Sequence, residues 1–229
     1  MDPLELNTQT GEPYLRLPAP FANIIITPPR PTDVAPSVAI MNDPAVFAWM
    51  GRTTLYTPCI AAKWIAKVTA ETDAALHELQ AGARVVGGCP VRHLRELCAD
   101  GTDVFIGDVG LTRSTWAEIR DEGERARCVA ENNVRAPGDS GISWNVGYYL
   151  APSHHGRGLM TAAVGAIIQQ WGFPRMRTTR IRSSAFVGNH GSVKVLEKNG
   201  FVIVDTLVDH VDVGKDKKSL HIFEWNVTN

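Results

Sequence analysis

One stretch limits the fold more than any other. Trp144-Asn145-Val146-Gly147-Tyr148-Tyr149-Leu150 reads as a strand, and a glycine-containing turn, His154-His155-Gly156-Arg157-Gly158, follows it. Leu159, Met160, Ala163, Val164, Ile167, Ile168 and Trp171 then mark an apolar stripe of helical period, stopped at Gly172 and Pro174. A strand that feeds a helix through so short a turn belongs to a layered α/β fold. The two turn glycines let the backbone approach a ligand closely. The free N–H groups of the helix's first turn point out of its positive end, which makes an anion site best suited to phosphate. Arg157 adds a cation at the same place. The spacing is neither G-x-x-x-x-G-K-[ST] nor G-x-G-x-x-G, so two common phosphate loops are excluded.

The rest of the chain frames that unit. With 229 residues, a single domain with extensions is expected. Lys+Arg 23 against Asp+Glu 24 leaves a net charge of -1, so no broad basic surface draws the chain to nucleic acid or an anionic membrane. No apolar run approaches the roughly 18 residues of a membrane helix. The acidic, then Pro-rich N-terminus lacks a secretory pattern. Cys59, Cys89, Cys98 and Cys128 lie 30, 9 and 30 apart, without a CxxC pair or a zinc pattern. Reduced thiols and a cytoplasmic location are expected, with no metal.

Local patterns predict the remaining elements. Residues 1–22, with four prolines, read as an extended arm. Ile24-Ile25-Ile26 reads as a first strand stopped by Pro28-Pro29. A short helix carries Val34, Val38 and Met41, and a shorter one runs from Ala45 to Trp49. Thr57-Pro58 opens a longer helix with Ile60, Trp64, Ile65 and Val68 on one face. Arg84 to Val91 and Asp103 to Val109 read as strands. Thr115-Trp116-Ala117-Glu118 fits a capping box, which predicts an exposed helix ending near Asn132-Asn133. Thr178 to Val187, Phe201 to Val204 and Ser219 to Val227 read as strands, with a short helix bearing Val193 and Leu196 between the first two. Trp64, Trp171 and Phe201 are expected in the core. Tyr148 and Trp144 are candidates to line the acceptor side, although alternation along a strand puts one of any adjacent pair in the core.

Three blocks carry a resemblance: Gly147 to Pro152, His155 to Thr161, and Asn189-His190-Gly191-Ser192 through Glu197-Lys198-Asn199-Gly200-Phe201. Together they resemble the GNAT superfamily of acetyl-CoA-dependent N-acetyltransferases. With Thr27 to Asp33 and Asn42-Asp43-Pro44, the chain is most similar to its ribosomal-protein N-terminal (Rim-type) branch. The resemblance is strong over 144–203, weaker over 24–110, and does not cover 1–22 or 115–143. It implies a mixed α/β fold: a mostly antiparallel, splayed central sheet flanked by helices. It implies one domain over 23–229 with a helical insertion at about 115–143, and an enzyme working as a monomer or homodimer.

The resemblance also implies roles. Backbone groups of Tyr149 and Leu150 would meet the pantetheine arm of acetyl-CoA. His155, Gly156, Arg157, Gly158, Leu159, Met160 and Thr161 would wrap its pyrophosphate. Asn189 would hydrogen-bond the arm. The implied chemistry is direct attack of a primary amine, from a protein N-terminus or a small molecule, on the thioester. His155 stands where the loop usually carries Gln or Arg, and Met160 where a small residue is usual. Leu196 takes the place of a tyrosine acid, leaving Ser192 as the candidate acid. For the base, Asp108, Glu118, Glu122 and a water chain all remain open. His154 and His190 flank the loops, with structural roles expected for both. A non-catalytic acyl-CoA-binding module is the alternative. The 115–143 segment is expected to shape the acceptor entrance or a subunit contact.

Overall fold

The computed structural model describes residues 2–227. Among them, the β-branched and aromatic runs join into one nine-stranded sheet. Its strands are β1 (Glu5–Leu6), β2 (Pro13–Arg16), β3 (Ile24–Thr27), β4 (His93–Leu97), β5 (Asp103–Arg113), β6 (Ser143–Leu150), β7 (Arg180–Phe186), β8 (Val202–Val213) and β9 (Asp216–Asn226). They lie in the order β1-β2-β3-β4-β5-β6-β7-β9-β8. All neighbours are antiparallel except β6 and β7. The mixed, mostly antiparallel α/β architecture is the expected one.

The helices divide between the two faces. On one face lie α1 (Val34–Asn42), α2 (Pro44–Phe47) and α3 (Pro58–Gln80). Thr57 caps α3 by accepting from the Ile60 N–H at 3.3 Å, with Pro58 at the first helical position. Over the other face runs α5 (Leu159–Ala166), continued by a π-helical turn and α6 (Phe173–Met176). Beside it stands α7 (His190–Lys198). The stripe from Leu159 to Trp171 packs on Leu94, Val109, Trp144, Val146 and Ile181 to make the main core, and Phe201 joins it. A smaller cluster under α1 gathers Ile40, Met41, Val46, Tyr56, Ala61 and Phe105.

A bulge sorts charge from apolar packing between β4 and β5. The pairing runs His93↔Asp108, Leu94↔Gly107, then Arg95↔Phe105, so Ile106 is the extra residue. His93 and Arg95 therefore share a face with Asp108 and Phe105, while Leu94 and Ile106 face the main core.

Four expectations are corrected. Residues 1–22 are not a free arm: β2 pairs with β3, β1 pairs with β2, and Leu4, Leu15 and Leu17 are buried. Residues 84–91 form no strand; Val86 and Val91 are anchored in the core, and the Val86 N–H donates to Arg175 O at 2.8 Å. The capping box at Thr115 starts no helix. Instead Trp116 adopts a left-handed φ of 45, and α4 (Glu122–Asn133) begins later, capped by Asp121. Trp64 is 39% exposed rather than core, with the Arg92 guanidinium 5.3 Å from its ring centre.

Candidate active site

The parallel pairing of β6 and β7 is brief. It runs Ser143↔Arg180, Trp144↔Ile181 and Asn145↔Arg182, and one side-chain bond, Ser183 Oγ to Val146 O at 2.9 Å, continues it. Beyond that the strands diverge, because β6 is held by β5 as far as Leu150 while β7 follows β9 to Phe186. The gap leaves edge groups of β6 without a strand partner. Val146 O faces β7, and the Ala151 N–H turns the other way, to Ile106 O at 2.7 Å. By alternation, the backbone groups of Tyr148 and Leu150 face the gap and those of Tyr149 face β5. Leu150 and Tyr149 both border the gap, and Leu150 O already bonds His155 Nε2 at 2.8 Å.

Two clefts open there. The first, about 500 Å³, is bordered by Leu150, the Gly156–Thr161 turn and the N-terminal turn of α7. The second, about 250 Å³, lies between β6 and β7 and is bordered by Gly147, Ser184 and Phe186. Both touch Trp49, Met50, Tyr148, Asn189 and Ser192, so they meet at those residues.

The turn presents a run of N–H donors. Gly156 and Gly158 take left-handed φ values of 72 and 80, which only glycine adopts readily. Among the described residues, no backbone carbonyl accepts from the N–H groups of Gly156, Arg157, Gly158, Leu159, Met160 or Thr161. His155 departs from expectation. Its N–H donates to Pro152 O at 3.1 Å, and its Nε2 bonds Leu150 O at 2.8 Å, so it braces the turn from behind. Lys194 and Lys198, one turn apart on α7, also border the first cleft. They escaped sequence reasoning because an (i, i+4) lysine pair on a short helix is an ordinary exposed face.

Asn189 and Ser192 come together as a cap: the Asn189 side chain accepts from the Ser192 N–H at 3.2 Å. The Tyr148 hydroxyl donates to Ser192 O at 3.1 Å. Burial pushes the Tyr148 phenol up to about 12, more than that bond lowers it, so it stays protonated. Tyr148 is the functional group that sequence reasoning undervalued: strand alternation showed that it faced something, and only the fold shows that it faces Ser192. Leu196 is fully buried in the core.

None of the three candidate carboxylates borders a cleft. Asp108 is buried, bound by Arg92 through two 2.9 Å bonds and by His93 Nε2 at 3.3 Å. Burial alone would raise its carboxyl; Arg92 and His93 outweigh that and hold it at about 2. Glu118 is paired with Arg182 at 2.7 Å, and Glu122 is exposed on α4. His154 is buried and bonds Glu96 at 3.1 Å, and both it and His190 border the first cleft.

A splayed sheet with a set of N–H donors at its mouth forms a cleft suited to an anion. Residues 23–202 match the acetyltransferase (GNAT) domain family, and the chain belongs to that family. A probable N-acetyltransferase of Bacillus subtilis, YjcK, is 39% identical over 56 residues, which is 24% of this chain and 30% of that protein. The chain thus matches less than a third of that relative's length. A GNAT-family acetyltransferase of Bacillus anthracis shares the fold with a TM-score of 0.62 and 13% identity, covering 93% of this chain and 98% of that one. RimJ of Mycobacterium smegmatis, solved with CoA-disulfide, does so with a TM-score of 0.57 and 19% identity over 94% and 87%. The Rim-type branch is therefore represented among the structural neighbours. No helix among the described residues is long and apolar enough to cross a membrane.

Proposed function

We propose that this chain is an acetyl-CoA-dependent N-acetyltransferase in which the first cleft takes the cosubstrate and the second admits a primary amine. The observation that carries the reading is the meeting of the two clefts at Tyr148, Asn189 and Ser192. Six free N–H groups and the Lys194/Lys198 pair suit the phosphates of acetyl-CoA, and the gap-facing backbone of Leu150 suits its amide-bearing arm. The amine nitrogen attacks the thioester carbonyl, the C–S bond breaks, and the leaving thiolate takes a proton. Ser192 and the neutral Tyr148 phenol stand at that junction as donors. No aspartate or glutamate among the described residues borders either cleft; the His190 imidazole, which borders the first, or a water chain receives the ammonium proton. A module that holds acyl-CoA without turnover would need neither the second cleft nor a proton donor where the clefts meet.

We assign the reaction to one domain over 23–229, with the 115–143 segment walling the acceptor side. In support, Arg120 donates to Asp209 O and His210 O, and His210 Nε2 bonds Glu118 O, which ties that segment to β8. Four cysteines without disulfide partners suit a reducing, cytoplasmic setting.

A free-thiol release assay with acetyl-CoA and a panel of amines and N-terminal peptides tests the reading. Ser192→Ala and Tyr148→Phe together lower turnover by roughly 10²-fold, the scale of a lost general acid, with acetyl-CoA affinity nearly unchanged. Undiminished turnover in the double variant removes both from the mechanism; thiol release from no amine in the panel removes transferase activity.

A further inference from the structure

The second cleft is bounded by two parts of the chain that are far apart in sequence. Trp49 and Met50 border both clefts, whereas Phe186 and Leu220 border the second alone. The loop that carries Trp49 and Met50 is anchored at its ends: Val46 before it and Tyr56 after it are buried together with Phe105 of β5. Its middle meets β7 and β9. A Cβ on Gly51 would lie 3.1 Å from the Phe186 ring, and one on Gly188 would lie 3.8 Å from the Trp49 ring. Trp49 also packs against the cluster of Phe186, Leu220 and Ile222.

One polar contact joins the two parts. Lys218 of β9 donates to Ala48 O at 2.7 Å, and its ammonium lies 5.5 Å from the Trp49 ring centre and 5.1 Å from that of Phe186. Among the described residues, no other hydrogen bond runs between residues 44–56 and β7–β9. Both rings border the second cleft, so one ammonium holds an aromatic ring of the loop against one of the sheet. Lys218 itself borders neither cleft, and its effect on an acceptor passes through Trp49 and Phe186.

We infer that Lys218 is a positioning residue for the acceptor: by tying Trp49 to Phe186 it fixes the width of the second cleft, and with it the size of amine that the chain acetylates. The inference rests on the acetyl-transfer reading above. At about 250 Å³ the cleft is smaller than the roughly 300–1,000 Å³ of drug-sized sites. Among the described residues no charged side chain borders it, and its polar side chains include those of Asn145, Ser184 and Ser192. A small amine with an uncharged body fits such a space, whereas a second buried charge would find no partner there. Width is then what separates one such amine from another, because a methylene more or less in a pocket of fixed width discriminates by about tenfold or more.

The test uses the full chain with four acceptors that share an α-amine and an uncharged body and differ in size: glycinamide, alaninamide, leucinamide and phenylalaninamide. Thiol release at saturating acetyl-CoA gives kcat and KM for each, and calorimetry gives acetyl-CoA affinity separately. Lys218→Met keeps the aliphatic stem and removes the ammonium. It should raise KM for the best amide and shift the kcat/KM ratio of phenylalaninamide to glycinamide about fivefold toward the larger acceptor, the scale of one charge-assisted bond from a half-buried lysine. The kcat for the best amide and the acetyl-CoA affinity stay nearly unchanged, and Lys218→Arg, which keeps a cation beside both rings, restores part of the ratio. A general loss of folded protein lowers all four rates alike and leaves the ratio where it was. An unchanged ratio, or a shift as large in Lys218→Arg as in Lys218→Met, overturns the inference while the transfer reading stands. Thiol release from other amines but from none of the four amides also overturns it, and acetyl-CoA binding with release from no amine removes the transfer reading as well.

Discussion

Gly158 separates backbone strain from charge at the anion site. It precedes α5 with φ 80, and a Cβ there would meet nothing nearer than Phe21 Cζ at 4.0 Å. The cost of a side chain is therefore conformational, about 1–2 kcal/mol for a left-handed non-glycine residue. Gly158→Ala should lower stability by that amount, a Tm shift of about 2–8 °C for a chain of this length. Gly158→Asp adds a carboxylate at the mouth of the free N–H groups, with similar or smaller strain because Asp tolerates this region better than most residues. The position is exposed, so an effective dielectric of about 40 is appropriate; at roughly 6 Å each diphosphate charge then costs about 1.4 kcal/mol. Two such charges correspond to roughly a hundredfold weaker acetyl-CoA binding. Calorimetric titration of both variants with acetyl-CoA, beside thermal melts, reads the two effects apart. An acetyl thioester of pantetheine, which lacks the diphosphate, should bind both variants alike. Equal acetyl-CoA affinity in the Ala and Asp variants would refute the placement of the phosphates at this turn.

Two further outcomes concern stability. Burial lowers the His93 imidazole's affinity for a proton, but Asp108 at 3.3 Å and Asp33 at 2.6 Å outweigh it, so its pKa is raised. The stability it contributes is fully present below the unfolded value of about 6.5 and is lost as pH rises through the folded value. Asp108, held at about 2, contributes stability above its unfolded value of about 3.9 that is lost as pH falls toward 2. Urea midpoints across pH 5 to 9 should fall at the alkaline end in the wild type and lose most of that slope in His93→Gln; an unchanged slope assigns the titration elsewhere. Asn132, buried in α4, donates to Ser143 O and accepts from the Ser143 N–H, both at 2.9 Å. Asn132→Ala leaves the Ser143 N–H unpaired, while Ser143 O keeps the Ser114 N–H at 2.9 Å, and should cost about 1–3 kcal/mol by denaturant titration; a cost under about 0.5 kcal/mol would mean that water replaces the amide at no loss.

What was legible in the sequence was local. The Gly156-Arg157-Gly158 turn, the apolar stripe behind it and the short helix bearing Val193 and Leu196 depend on residues within a few positions of one another, and the structure has them all. What was illegible depends on distant partners. His93 and Arg95 drew no reading because Asp33, which binds both, lies some sixty residues away. The bulge at Ile106 broke the period of two, which hid that Asp108 shares a face with Phe105. Thr115 offered a capping box, but the chain there is drawn across to β8 by Arg120 and Glu118 before a helix can begin.

The brevity of the β6–β7 ladder has a mechanical consequence. Six strands from β1 to β6 and three from β7 to β9 form two plates that share main-chain bonding only at a seam of three residue pairs. Trp144 and Ile181, paired in that seam, are both buried in the main core. Any change in the width of the mouth must turn on that pair, as a jaw turns on its joint, and a slackened joint would misalign both clefts at once without touching a residue that lines either.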